Sequence, residues 1–79
     1  MLVVDDTQTI NFTDAIEVKN NEYLVKLRNN GKYYTLEACI YHEKYGKDNP
    51  YFVFHHQLKT LGWVNHYAKC FGFEFVENN

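Results

Sequence analysis

Ile16-Glu17-Val18-Lys19-Asn20-Asn21-Glu22-Tyr23-Leu24-Val25-Lys26-Leu27-Arg28-Asn29-Asn30-Gly31-Lys32-Tyr33-Tyr34-Thr35-Leu36 alternates apolar and polar residues around two asparagine-rich breaks. Asn-Gly supplies the positive φ angles of a two-residue hairpin turn, and Asn-Asn does so less well. With Asn20-Asn21 and Asn30-Gly31 as turn centres, Val18 faces Tyr23 and Ile16 faces Val25. In the second hairpin Leu27 faces Tyr34 and Val25 faces Leu36. Ile16, Val18, Tyr23, Val25, Leu27, Tyr34 and Leu36 then share one face. Glu17, Lys26, Arg28, Tyr33 and Thr35 take the other, with Leu24 as its apolar exception. A slip of one residue would scatter this face, so the two turns together predict a three-stranded meander over about 15–19, 22–29 and 32–35.

Outward from the meander the signals are less uniform. Thr9-Ile10-Asn11-Phe12 alternates and reads as an edge strand. Thr35 to Gly46 reads as a short helix, with Thr35 as N-cap, Glu37 in the first turn, Lys44 in the last and Gly46 as the stop. Continued strand alternation through Leu36, Ala38 and Ile40 is the competing reading. Lys47-Asp48-Asn49-Pro50 is a loop and a helix start. Tyr51, Phe54, Leu58, Leu61, Val64, Ala68 and Phe71 then recur at spacings of three and four, which predicts an amphipathic helix ending at Gly72. Tyr51-Phe52-Val53-Phe54 has strand-like composition. A helix over 50–71 would also be roughly 33 Å long. The expectation is therefore a bend near Gly62 or a first turn that is strand. Phe73-Glu74-Phe75 suggests a last strand. The predicted fold is α+β: a three- to four-stranded antiparallel β-meander packed on one face by one or two α-helices, with residues 1–79 as a single domain.

Composition bounds the function. The chain of 79 residues is 46% hydrophobic, 23% charged and 18% aromatic. It therefore has a core, and more rings than so small a core can hide. A net charge of −2 argues against nucleic acid as a partner, because a phosphate backbone requires a concentrated basic surface. Lys outnumbers Arg seven to one, which also counts against an arginine-based reader of phosphates or bases. Two Cys cannot build a disulfide framework. Met1-Leu2-Val3-Val4-Asp5-Asp6 lacks the features of a signal peptide, and no apolar run is long enough for a membrane span. A cytoplasmic protein without membrane contact is the expectation.

The sharpest chemical candidate is metal. Cys39 and His42 lie three apart, His66 and Cys70 four apart, and together they form a Cys2His2 set of the kind tetrahedral zinc accepts. The competing reading makes both Cys small buried hydrophobes and both His surface groups. The expectation is no cofactor, with zinc on Cys39, His42, His66 and Cys70 as the alternative. His55 and His56, neighbours on a helix, would point about 100° apart and read as a solvated pair. No nucleophile–base pair, phosphate loop or carboxylate pair stands out, so an enzyme is not expected.

The aromatic surplus carries the functional expectation. On a long helix Phe52, His56, Thr60, Trp63 and Tyr67 form a second stripe beside the core stripe. Such rings anchor interfaces. Lys26, Arg28 and Tyr33 on the outer sheet face form a second candidate surface. The expected function is a small non-enzymatic module that binds a larger protein or complex through exposed rings, with homo-oligomerisation also open. A phage or mobile-element inhibitor of a host enzyme or defence complex, anti-CRISPR-like in kind, fits this size and composition. A nucleic-acid-binding or zinc-stabilised regulatory domain is the alternative.

Overall fold

The computed structural model describes residues 7–40 and 51–78. Its elements run β1 (Gln8–Phe12), β2 (Ala15–Lys19), β3 (Tyr23–Asn29), β4 (Tyr34–Ile40), β5 (Tyr51–Leu58), α1 (Leu61–Ala68), a 3-10 turn (Lys69–Phe71) and β6 (Phe73–Glu77). Strands β2-β3-β4-β5 form an antiparallel sheet in chain order, while β1 and β6 form a separate parallel pair. The fold is α+β: α1 and the β1–β6 pair share a core with the apolar face of the four-stranded sheet.

That apolar face is the one the alternation predicts. Val25, Leu27, Leu36 and Ala38 are buried, with Ile16, Val18, Tyr23 and Tyr34 packed around them. The register differs by two residues at both hairpins: Val18 faces Val25, Ile16 faces Leu27, and Leu27 faces Leu36. A two-residue shift returns each side chain to the same face, which is why the face survives. The cause is the way asparagine acts. The Asn20 Oδ1 accepts the N–H groups of Glu22 (2.9 Å) and Tyr23 (2.8 Å), and the Asn29 Oδ1 accepts that of Gly31 (2.9 Å). These are side-chain turns, with no asparagine at positive φ. Among the described residues only Gly31 (φ 91°) and Gly72 (φ 93°) take that conformation. The tips therefore sit one residue later, at Asn21-Glu22 and Gly31-Lys32, closed by Asn20 N–H to Tyr23 C=O (3.0 Å) and Asn30 N–H to Tyr33 C=O (2.9 Å).

Two helix expectations are corrected. Residues 34–40 form strand β4, paired along seven residues with β3, so the helix from Thr35 does not form over its described part. Leu36 and Ile40 are four apart, a spacing that fits a strand as well as a helix, and the long ladder decides between them. The rest of that predicted helix, to Gly46, and the 47–50 loop lie outside the described residues. The predicted helix over 50–71 splits: 51–58 is strand, and α1 begins after Thr60. Phe54 and Leu58 are again four apart, and both pack on the core in a strand. Thr60, read as part of a ring stripe, is the N-cap instead. Its Oγ1 accepts the Trp63 N–H at 3.2 Å. Gly72 ends the helical segment in the left-handed conformation, as the sequence suggests.

The C-terminal strand completes the core. Phe73 and Phe75 are fully buried, and Phe75 meets Phe12 of β1 edge-on at 6.0 Å. Burial of each such side chain stabilises the fold by about 1.5–3 kcal/mol. On β6 the Asn65 side chain of α1 acts as a further strand. Its Nδ2 donates to the Phe75 carbonyl (2.9 Å) and its Oδ1 accepts the Phe75 N–H (2.7 Å). Tyr34 Oη (2.7 Å) and Asn29 Nδ2 (2.5 Å) both donate to the Glu77 carboxylate, tying β6 to the meander.

Candidate functional site

Strand β5 pairs with β4 on one side, and among the described residues nothing pairs with its other side. Its ladder carries a bulge. Ala38 faces Phe54 and Cys39 faces Phe52, leaving Val53 as the extra residue. Residues opposite one another in a ladder share a face. Phe54 therefore joins Ala38 on the core side, while Phe52 joins Cys39 and Leu24 on the outer side.

From Phe54 a chain of rings runs outward over α1. Phe54 contacts His56 (4.7 Å), Tyr67 (5.0 Å) and Phe71 (5.8 Å) between ring centroids. Tyr67 lies near-parallel to Trp63 at 6.3 Å, and His66 meets both edge-on, at 5.5 Å from Trp63 and 5.1 Å from Tyr67. At the inner end Phe71 packs on Tyr23 (5.0 Å). The outer end is bare, with Trp63 55% exposed. The Thr60 cap fixes the backbone of Trp63 at the helix start, and buried Val64 and Ala68 hold the opposite side of α1 against the core. The ledge thus carries its largest ring in solvent.

Sequence reasoning put Phe52, His56, Trp63 and Tyr67 on one helical stripe. The structure brings His56, Trp63 and Tyr67 together through Phe54 and sets Phe52 apart on the other side of the sheet, 57% exposed. His66 belongs to the ring ledge, a role its sequence neighbours do not signal. Residues 51–70 contain no Asp or Glu but carry Lys59, Lys69 and three His, so the ten carboxylate residues all lie elsewhere. Lys69 reaches one of them, Glu74, at 3.6 Å.

The second candidate surface is mixed in charge. Lys26 and Arg28 stand on the outer sheet face in an open depression of about 610 Å³, beside Glu17, Thr35 and Glu37. Lys26 pairs with Glu17 at 3.6 Å, and His55 Nε2 lies 3.4 Å from Glu37. Tyr33 is half-buried at the second hairpin. Two acids interleave with the two bases, so the face has no basic stripe to track a phosphate backbone.

Of the proposed zinc ligands, His42 lies outside the described residues. Cys39 sits in a strand, so the helical spacing assumed for its pair with His42 does not apply. Cys39 is buried and Cys70 exposed, both as free thiols. Cys39 faces the outer side of the sheet, whereas His66 and Cys70 belong to the helical segment on its inner side. Among the described residues no three His, Cys, Asp or Glu side chains converge as metal ligands. Burial, and then the Glu37 carboxylate, push the Cys39 thiol above its ordinary range, partly offset by Lys26. Among the described residues no helix is long and apolar enough to cross a membrane. Comparison with known proteins finds no matching family model, curated protein or solved structure.

Proposed function

We propose that this chain is a small non-enzymatic protein-binding module that docks on a larger protein through the ring ledge of β5 and α1. The observation that carries the reading is Trp63, 55% exposed at the outer end of a connected ring network. Trp and Tyr in such positions are the usual anchors of interfaces, and contiguous ring surfaces of this kind mark interaction sites. An inhibitor of a host enzyme or defence complex, encoded by a phage or mobile element and anti-CRISPR-like in kind, is the form of binding we assign to it. The aromatic-rich composition and the absence of a familiar catalytic motif from the sequence support that assignment.

The test is capture from an extract of the cells that carry the protein, with wild type, Trp63→Ala and Lys32→Ala as baits. Both substitutions are at exposed positions, and circular dichroism checks that each bait folds. A partner that wild type and Lys32→Ala retain and Trp63→Ala loses supports the proposal. Equal retention by all three contradicts it.

A further inference from the structure

Edge strands in folded proteins are usually short, or guarded by lysine, proline, a bulge or an inward charge. The two edges of the four-stranded sheet differ in this respect. On β2 the edge is five residues long and carries Glu17 and Lys19. On β5 it is eight residues long, Tyr-Phe-Val-Phe-His-His-Gln-Leu, with no Asp, Glu, Lys, Arg or Pro. Among the described residues β5 has no partner on its outer side. Among the described residues, four of the five exposed large apolar side chains, Ile40, Phe52, Val53 and Trp63, belong to β5, its β4 neighbour or the adjoining helix.

The bulge at Val53 leaves Phe54 to Leu58 as the regular part of this edge. Strands paired about a two-fold axis normal to the sheet must oppose residues of the same face, so the axis passes through a residue. Phe54, His56 and Leu58 are on the core face, and His55 and Gln57 are on the outer face. An axis at His56 is the register that pairs all five: Phe54 with Leu58 of the second copy, His55 with Gln57, and His56 with itself. Apolar then meets apolar, and polar meets polar.

We propose that the free edge of β5 receives a second copy of this chain, antiparallel, about a two-fold axis at His56. The product is a continuous eight-stranded sheet with both α1 helices on one side. Five strand pairs alone fall short of the roughly 1,200 Å² that a stable complex buries, so the dimer is weak and depends on concentration. The pairing does not require the ledge to dock a partner. Trp63 contributes nothing to this ladder, so Trp63→Ala leaves the dimer intact while abolishing capture, which separates the two proposals.

A register-specific disulfide tests it, in a Cys70→Ser background that removes the exposed native thiol. At the axis, His56→Cys brings two Cα atoms to about 4.5–5.5 Å, within disulfide reach. His55→Cys leaves its own copy about 7–8 Å away on the diagonal, beyond reach. Light scattering of the wild-type chain is expected to show a mass rising towards twice the single chain as concentration approaches ~0.5 mM, in the weak-complex range. Mild oxidant is expected to trap the dimer of the His56→Cys variant and not that of the His55→Cys variant. A mass that stays at the single chain through that range, or equal trapping of the two variants, overturns the proposal.

Discussion

Tyr34 and Cys39 sit on the same strand, and both hold their protons more tightly than usual for different reasons. For Tyr34 the hydrogen bond it gives to Glu77 is the larger cause, followed by burial and by the carboxylate's charge. Because the folded value is raised, this contribution to stability is complete below about pH 10, the unfolded value, and is lost as pH rises through the folded one. Tyr34→Phe is expected to lower stability at neutral pH by about 1 kcal/mol, the usual net worth of such a bond. It is also expected to lose less stability than wild type between neutral pH and pH ~11. Urea denaturation of both proteins at both pH values checks this, and parallel losses would contradict it. For Cys39 burial dominates, and only 3% of the residue is exposed. A thiol reagent at mildly alkaline pH is expected to react quickly with one thiol per native chain and with two after denaturation. Cys70→Ser should remove the fast phase. Two fast native thiols would show that Cys39 is open to solvent.

At the level of elements, the structure turns on how α1 and β6 are joined, and Asn65 is the joint. Its amide makes both the donor and the acceptor contact that a neighbouring strand would make to Phe75. Asn65→Ala leaves two half-buried backbone groups unpaired, and the expected loss is about 1–3 kcal/mol. Asn65→Asp keeps the acceptor but turns a carboxylate oxygen towards the Phe75 carbonyl, so it should destabilise at least as much. Thermal or urea unfolding measures both, and a loss within error of zero would remove the joint. Nothing in the sequence marks Asn65, because its partner is a backbone reached only after the chain has folded. The apolar face of the meander was legible, since alternation survives a two-residue error in register. The register itself was not, because Asn20 and Asn29 bend the chain with their side chains and not by positive φ. Leu36 and Ile40, and again Phe54 and Leu58, sit four apart, which satisfies both periods. Only the cross-strand partner settles such cases. The exposed ring Trp63 was legible from the surplus of aromatics. The separation of Phe52 from it was not, because one extra residue at Val53 changes its face.

For the molecule as a whole, the division of surfaces matters most. One sheet face is buried under α1 and the β1–β6 pair, and the other is mixed in charge. The ledge between β5 and α1 concentrates rings, from half-buried Phe54 and Tyr67 out to exposed Trp63. The central claim is that this ledge, led by Trp63, is where a larger protein docks. The most direct measurement is the affinity of the captured partner for wild type and for folded Trp63→Ala, by calorimetry with purified proteins. Truncation of an anchoring tryptophan costs about 2 kcal/mol or more, so the account predicts at least a roughly thirtyfold weaker dissociation constant. A partner that binds Trp63→Ala as tightly as wild type would contradict it.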